Sequence, residues 1–302
     1  MKRLAVLLCL LCAAILLSGQ EVTHGEPAPT LVPPTLVPVN DNGASEGLVT
    51  ESGIARIIST GRVRVGILYN EPPFGEYNVR GEWTGFDADL AKAIAETWGV
   101  EIRFKQVTRQ TAEEMLRTHD VDMLIAAQVH RRDLDPQFEF SQTYFLGSQS
   151  MMVKSAEGGP KTLAEMANRR IGVTMATPSE AALTNWSTRS GIPINVQRYT
   201  TLDGAYNALM SGEVDGIVAS RHQLARIALQ PDTILIMDEA VEAEPYSIAM
   251  PRQDISLRNL VNKTLQYLRQ KGKLAEIRQI HFPESSYLPA IWGGLGDDAP
   301  KP

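Results

Sequence analysis

The chain has 302 residues, of which 43% are hydrophobic and 21% are charged, a composition typical of a soluble globular protein. This length is sufficient for two ordinary domains. The formal net charge of −6 gives no electrostatic attraction to nucleic acid or to an anionic membrane surface, and nucleic acid is not expected as a partner.

The N-terminus has the pattern of an export signal. Lys2 and Arg3 precede an apolar run at residues 4–17, which is long enough for a secretory signal and short for a spanning helix. We therefore predict a signal peptide at residues 1–19 and an exported protein, periplasmic or on the extracellular face of the membrane. Leu17 lies where a cleavage site usually has a small residue, so an uncleaved N-terminal anchor remains the alternative.

A proline-rich segment follows the apolar run. Residues 26–46 are rich in proline and then polar, which predicts a semi-extended linker over residues 20–53. Cys9 and Cys12 both lie in the apolar run, so cleavage of the signal would leave a protein without a disulfide. At the other end, residues 284–302 are predicted to form a C-terminal tail.

Between these ends, predicted strands and helices alternate. Hydrophobic periodicity predicts strands at residues 63–68, 102–107, 121–129, 171–175, 194–199 and 215–219. It predicts helices from Phe86, Thr111, Ser179 and Asp203. Thr111 begins a sequence with capping-box spacing, and Asp203 is expected to cap its helix. This alternation predicts an α/β protein with parallel sheets of the βαβ type.

Two segments of the chain resemble each other. Residues 116–127 and residues 209–220 each contain a helix end, a turn, a Val-Asp pair and an apolar strand. This repetition indicates two similar lobes, with the general likeness of any two βαβ units as the alternative. Doubly wound sheets bind ligands beyond the carboxyl ends of their strands, so the residues after Ala127 and Ala219 are the first candidates for a site.

Motifs for catalysis or cofactor binding are absent from the sequence. It contains no dinucleotide or P-loop glycine motif, no HExxH and no GxSxG, and its five histidines are scattered, so no cofactor and no metal are expected. Asp87 and Asp89 are predicted to cap the helix that starts there. Arg131 and Arg132 follow a strand and suit a carboxylate clamp, with a solvated loop as the alternative interpretation.

Several segments together resemble the family 3 extracellular solute-binding proteins, the amino acid-binding proteins of ABC importers. The resemblance spans about residues 54–283 and is carried by the segments YNEPPF at 69–74, WTGFDADL at 83–90, VDMLI at 121–125, FEFS at 138–141 with Tyr144, and PYSIAMP at 245–251.

The resemblance implies a two-lobed periplasmic-binding-protein-like fold of type II, with two βαβ lobes joined by two hinge strands. Lobe 1 would comprise residues 54–149 and 246–283, and lobe 2 residues 150–245. The lobes would close on a ligand like a Venus flytrap.

The resemblance also marks ligand-binding positions, at most of which this sequence departs from the family. Leu134 occupies the position of the carboxylate-clamping arginine, and Arg132 is expected to substitute for it. Val129 replaces a threonine, and Ser220 replaces the aspartate that pairs with the ligand ammonium. The ligand-binding residues expected from the resemblance are Glu71, Phe74, Arg109, Val129, Arg132, Thr177, Ser220 and Arg221.

Three functions are compatible with this pattern. The first is a monomeric, non-enzymatic solute-binding protein that captures an amino acid or related small molecule for an ABC transporter permease. The second is a sensor or scaffold with a degenerate pocket. The third is a cyclohexadienyl-dehydratase-like enzyme on the same fold, with Glu71 as the acid–base group.

Overall fold

The computed structural model describes residues 52–228 and 231–282. The predicted signal peptide, nearly all of the predicted linker and the predicted C-terminal tail lie outside the described residues. Within those residues, none of the helices combines the length and the apolar character needed to cross a bilayer.

The described chain alternates strands and helices over most of its length. The strands are β1 Arg62–Leu68, β2 Asn70–Glu71, β3 Gly75–Tyr77, β4 Trp83–Thr84, β5 Glu101–Val107, β6 Met123–Leu124, β7 Phe138–Phe140, β8 Phe145–Lys154, β9 Arg170–Thr174, β10 Asn195–Tyr199, β11 Gly216–Ser220, β12 Ile234–Tyr246 and β13 Ala249–Pro251. The α-helices are α1 Gly53–Thr60, α2 Phe86–Trp98, α3 Ala112–Arg117, α4 Pro178–Ser190, α5 Leu202–Ser211, α6 Arg221–Ile227, α7 Ile255–Gln270 and α8 Lys273–His281.

Two five-stranded sheets organise these elements into two lobes. The first sheet has the order β5-β1-β6-β13-β7 and the second the order β10-β9-β11-β8-β12. The three strands β5, β1 and β6 are parallel, as are β10, β9 and β11. The remaining strands join antiparallel, so the predicted parallel sheets are in fact mixed. We refer to the regions built on the first and second sheets as lobe 1 and lobe 2.

Helix α2 shows why the hydrophobic spacing led to correct elements. Phe86, Leu90, Ile94 and Trp98 recur at helical spacing and are all buried in the lobe 1 core. Burial of each such side chain stabilises the folded state by about 2 kcal/mol, so the hydrophobic spacing strongly favours a helix with this face against the core. The helix ends at Gly99, whose φ of 69° is the left-handed conformation that favours glycine.

Three local expectations from the sequence are wrong. Strand β6 is only two residues long, and the predicted strand does not continue to residue 129, since the chain turns at Ala127, where φ is 44°. Thr111 makes no side-chain cap and instead bonds Thr108 through its hydroxyl, at 3.1 Å. Helix α5 is capped by Thr201, whose hydroxyl accepts the Gly204 amide hydrogen at 3.1 Å, rather than by Asp203.

Two long strands join the lobes. Strands β8 and β12 pair antiparallel from Phe145–Tyr246 to Lys154–Ile234 with interruptions of register. Phe145 and Tyr246, at one end of this ladder, belong to the lobe 1 core, whereas Met151 belongs to the lobe 2 core. The lobe limits predicted from the sequence fall on these strands and stay a prediction.

Candidate ligand-binding cleft

A cavity of about 750 Å³ lies between the two lobes and receives side chains from both. Lobe 1 contributes loops that follow β5 and β6, and lobe 2 contributes the segments that follow β9 and β11, together with helix α6. The joining strands form the remaining wall. The lining residues are Arg109, Glu113, Gln128, Val129, Arg131, Gln149, Thr174, Ala176–Ala182 apart from Glu180, Asn185, Leu202, Ala219, Ser220, Gln223, Arg226, Glu242–Glu244 and Tyr246.

Four of the eight residues expected from the sequence line this cavity: Arg109, Val129, Thr177 and Ser220. Ser220 is the last residue of β11, and the other three lie within five residues after a strand that is parallel to its neighbour. Carboxyl ends of parallel strands meet at one sheet edge, which explains why this part of the expectation coincides with the cavity wall. Their role in binding stays a prediction.

Phe74 packs behind the cleft rather than on its wall. Its ring is fully buried and lies 5.0 Å from the ring of Phe145, 5.2 Å from that of Tyr246 and 5.1 Å from that of His222, all at edge-to-face angles. Burial of a large aromatic side chain among others is strongly favourable. Phe74 therefore supports the wall of the cleft from behind.

The arginine that reaches the cavity from the loop after β6 is Arg131, whereas Arg132 is not among the lining residues. Arg132 begins a short 3-10 turn, Arg132–Leu134, in which Leu134 is 4% exposed and packs in a lobe 1 core cluster. Burial of Leu134 orients this turn. The guanidinium of Arg131 lies 3.2 Å from the carboxylate of Asp133 at the surface.

Arg221 also lies outside the cavity lining. Its guanidinium is buried in lobe 2, where it donates a hydrogen bond to the Met237 carbonyl at 2.7 Å and lies 3.7 Å from the Asp238 carboxylate. Burial lowers the pKa of Arg221, against the opposing charge of Asp238. Gln223 and Arg226, the second and fifth residues after Arg221, lie on the cavity side of helix α6 instead.

A charged cluster at the rim of the cleft connects the lobes. The Glu71 carboxylate of lobe 1 lies 3.2 Å from His222 Nε2 and accepts a hydrogen bond from Gln223 at 3.3 Å, both in lobe 2. Arg109 lies 3.2 Å from the other Glu71 oxygen. Burial opposes ionisation of Glu71, but the hydrogen bond with His222 and the charge of Arg109 bring its pKa below the ordinary value.

A second polar cluster, at the floor of the cleft, was missed in the sequence. Gln149 of β8 donates to Glu244 at 2.8 Å and to Ser220 at 3.1 Å, and it accepts from Ser179 at 2.7 Å. Tyr246 donates to the other Glu244 oxygen at 3.1 Å. A usable signal was present, because the buried polar run Ser148–Ser150 interrupts an otherwise apolar strand.

Burial governs the acid–base properties of this floor cluster. It raises the pKa of Glu244 despite the hydrogen bonds from Gln149 and Tyr246. Burial together with the Glu244 charge raises the pKa of Tyr246 well above its usual range. Every direct hydrogen-bond partner that the described residues offer to Glu244 is neutral.

Asp87 positions the segment after β6 that reaches the cavity, residues 127–131, which we call the cavity loop, and it does not cap its helix. Its carboxylate accepts the Ala127 amide hydrogen at 2.7 Å and the Tyr144 hydroxyl hydrogen at 2.9 Å. Burial raises its pKa to about 7, although both hydrogen bonds act in the opposite direction. Gly85, which precedes helix α2, has a φ of 111°, and a Cβ there would collide with the Phe74 carbonyl, so this position requires glycine.

Asp89 does not cap helix α2 either. It pairs with Lys92 at 3.0 Å and with His281 at 2.7 Å.

Metal binding has no support in the cleft. Among residues 52–228 and 231–282, no group of three or more His, Cys, Asp or Glu side chains is arranged to hold a metal ion.

Comparisons with known proteins agree with this architecture. A glutamine-binding protein of Geobacillus stearothermophilus is 26% identical over 221 residues, covering 71% of this chain and 83% of that protein. The structure of an ancestral arginine-binding protein bound to arginine is 30% identical with a TM-score of 0.57, covering 74% of this chain and 98% of that chain. The ancestral amino acid-binding protein AncCDT-1, described as a precursor of cyclohexadienyl dehydratase, is 25% identical with a TM-score of 0.59, covering 75% and 97%.

These structures confirm the two-lobed α/β fold of type II that the sequence predicted. Residues 63–284, most of the chain, match the sequence profile of one family of extracytoplasmic proteins. The protein belongs to the bacterial extracellular solute-binding proteins of family 3.

Proposed function

We propose that this protein captures a small amino acid-like solute in the interlobe cleft and delivers it to the permease of an ABC importer. The observation that carries the proposal is the cavity of about 750 Å³, which both lobes line and which contains charged side chains of both signs. Its volume is in the range of small-molecule sites. The names of the glutamine-binding and arginine-binding relatives support the same ligand class.

Arginines on the wall are suited to the anionic end of such a solute. Arg109 and Arg131 line the cavity from lobe 1 and Arg226 lines it from lobe 2. Guanidinium groups bind carboxylates with paired hydrogen bonds, so Arg131 takes the part that the sequence suggested for Arg132. Val129, Thr177 and Ser220 complete the wall, Glu71 joins the lobes at the rim, and Phe74 supports the wall from behind.

The setting of this activity follows from the N-terminal pattern. The protein is exported, acts as a monomer without a cofactor, and is either released by cleavage after the signal or held at the membrane by residues 1–19. The linker at residues 20–53 then separates the two-lobed body from the membrane.

Catalysis is a second candidate because the cleft contains a buried carboxyl group of the kind that acid–base chemistry requires. Burial raises the pKa of Glu244, and AncCDT-1 is described as a precursor of an enzyme. We nevertheless favour binding alone. Mass spectrometry of each bound compound after prolonged incubation, with a cyclohexadienyl amino acid included, should return it unchanged, whereas a dehydrated product would establish the enzymatic alternative.

A thermal-shift screen of the full-length chain tests the proposed binding. The compounds are the common amino acids, dicarboxylates, polyamines and small phosphorylated metabolites. A ligand at about a thousand times its dissociation constant adds roughly 4 kcal/mol to the free energy of unfolding, so a ligand is easily seen. A cooperative melt that no compound shifts would contradict solute capture and favour a sensor or scaffold with a degenerate pocket.

A matched pair of arginine variants tests the assignment of the clamp. Arg131→Met should weaken binding of the best amino acid on the order of tenfold, because one guanidinium leaves the cavity wall. Arg132→Met, one residue later and outside the lining, should leave the affinity unchanged. The reverse result would return the clamp to Arg132.

A further inference from the structure

Glu244 is a buried carboxylate at the floor of the cleft without a cation beside it. Its side chain belongs to a residue only 8% exposed, and it lines the cavity. Among the described residues, no lysine, arginine or histidine nitrogen lies within 4.0 Å of its oxygens. The other two carboxylates of the lining, Glu113 and Glu242, are less buried.

Neutral donors hold this carboxylate in place. Gln149 donates to Oε1 at 2.8 Å and Tyr246 donates to Oε2 at 3.1 Å. Gln149 is itself oriented by Ser179 and Ser220, so its amide nitrogen is directed to Glu244. A carboxylate has about four lone-pair sites, and two donors leave room for a further donor from the cavity.

The cost of this arrangement identifies its partner. An ionised carboxylate that is buried among neutral hydrogen-bond partners is disfavoured, and a cation in contact with it offsets that cost. His222 and Arg109 act on Glu244 through their charge alone and make no hydrogen bond to it. Ser220 offers no charge on the lobe 2 side, although it shares Gln149 with Glu244 as a hydrogen-bond partner. A cationic group of the bound solute is therefore the complement that the floor lacks.

We propose that Glu244, on the strand that joins the lobes, receives the protonated amine or amidine of the ligand and makes the protein selective for amine-bearing acids over purely anionic ones. The arginines on the wall then bind the anionic end of the same molecule. The inference rests on the proposed function, because it assigns the orientation of the solute within the same cleft.

Pairs of compounds that differ only in the amine provide the test. Isothermal titration with the full-length chain compares L-glutamine with glutaramate and L-glutamate with glutarate, at equal ionic strength. The wild type should bind the amine-bearing acid of at least one pair on the order of a hundredfold more tightly than its amine-free analogue.

Variants then assign the preference to one side chain. Glu244→Gln keeps the shape of the floor and should remove the preference, so that both members of a pair bind with similar weak affinity. Glu213→Gln removes the same charge from an exposed lobe 2 turn and should retain the preference. The double variant Glu244→Gln/Ser220→Asp returns a carboxylate beside Gln149 and should restore part of it, whereas loss of a structural hydrogen bond would not be rescued in this way.

Each outcome decides the question. An amine-free analogue that binds as tightly as its partner overturns the role of Glu244 while leaving solute capture intact, even if Glu244→Gln fails to fold. A preference that survives in a folded Glu244→Gln protein does the same. Absence of binding by every compound to the wild type removes the proposed function itself, and the inference with it.

Discussion

Two carboxylates in one cleft behave in opposite ways. Glu71 at the rim has a lowered pKa, and Glu244 at the floor has a raised one, although burial opposes ionisation of both. The difference is direct contact: His222 and Arg109 lie 3.2 Å from the oxygens of Glu71. Among the described residues, an amide and a phenol bond Glu244, and His222 and Arg109 act on it only through their charge. At the rim, the charge of Glu71 is paired within the protein, and this pairing joins the lobes. At the floor, Glu244 is left to pair with a cationic group of the ligand.

The largest effect is expected where one side chain supports both clusters. Phe74 lies against His222 of the rim and Tyr246 of the floor. Phe74→Ala should lower the free energy of unfolding by about 3–5 kcal/mol, because it leaves a large cavity behind the cleft. Denaturant unfolding measures this change. The exposed Val79→Ala should alter stability by less than about 0.5 kcal/mol, and a similarly small effect at Phe74 would contradict the shared support.

A third carboxylate extends the comparison to pH. Asp87 holds the cavity loop, and its pKa is raised from 3.8 to about 7. Because the folded state binds the proton more tightly than the unfolded chain, the stability contributed by Asp87 is full below about pH 4 and declines as the pH rises to about 7. Asp87→Asn should cost about 2 kcal/mol through its lost hydrogen bonds.

Urea unfolding from pH 4 to pH 8 measures that dependence. The Asn variant should lose less stability than the wild type as the pH rises through this interval. Asp89→Asn, two residues along the same helix, serves as the control. Parallel stability profiles of Asp87→Asn and the wild type would show that Asp87 does not titrate as described.

Isosteric neutralisation of the two cleft carboxylates should change stability in opposite directions. At pH 7, Glu71→Gln should lower the free energy of unfolding by about 1 kcal/mol, because a charged hydrogen-bond acceptor is lost. Glu244→Gln should raise it by about 1 kcal/mol without ligand, because a buried charge without a cation is removed.

The pH dependence gives the sign of each effect. The stability contributed by Glu71 is present above the ordinary glutamate pKa of 4.5 and is lost as the pH falls, because its pKa is lowered in the folded protein. The stability contributed by Glu244 is present below pH 4.5 and is lost as the pH rises, because its pKa is raised. Calorimetry of both variants across this range provides the comparison. Two changes of the same sign would contradict the contrast between rim and floor.

The smallest effect is expected from the neutral member of the rim. Gln223→Ala removes one hydrogen bond to Glu71, at 3.3 Å, and should lower stability by about 0.5–1 kcal/mol. Gln197→Ala, an exposed glutamine on the edge strand β10, is the matched control. An effect at Gln223 no larger than that of the control would show that His222 alone carries the contact between the lobes.

Where the sequence-based prediction was correct, it depended on local periodicity. The spacing of Phe86, Leu90 and Ile94 predicted helix α2, and the strands at 63–68 and 102–107 were placed to within a residue, because both patterns reflect burial against a neighbouring sheet. The resemblance implied the two joining strands, but periodicity did not predict that strands pair antiparallel within each sheet, since pairing between β8 and β12 joins residues far apart in the chain.

The site divides in the same way. The resemblance to the family marked Arg109, Val129, Thr177 and Ser220, which line the cavity. Strand ends alone indicated only the segments after Ala127 and Ala219. The sequence did not show whether Arg131 or Arg132 lines the cavity, because this depends on the burial of Leu134, which orients the short turn Arg132–Leu134. Glu244 gave no local signal, since it faces the cavity only through its pairing across two strands.

The amino acid sequence by itself determined the alternating elements and the edge at which a ligand would lie, because both depend on the periodicity of neighbouring residues. Its resemblance to the family 3 solute-binding proteins implied the two-lobed class of fold. The tertiary structure alone decided which polar and charged side chains meet. Glu71 with His222, and Glu244 with Gln149, are pairs separated by many residues, and the distance and burial that set their opposite pKa shifts exist only after the lobes have folded and come together.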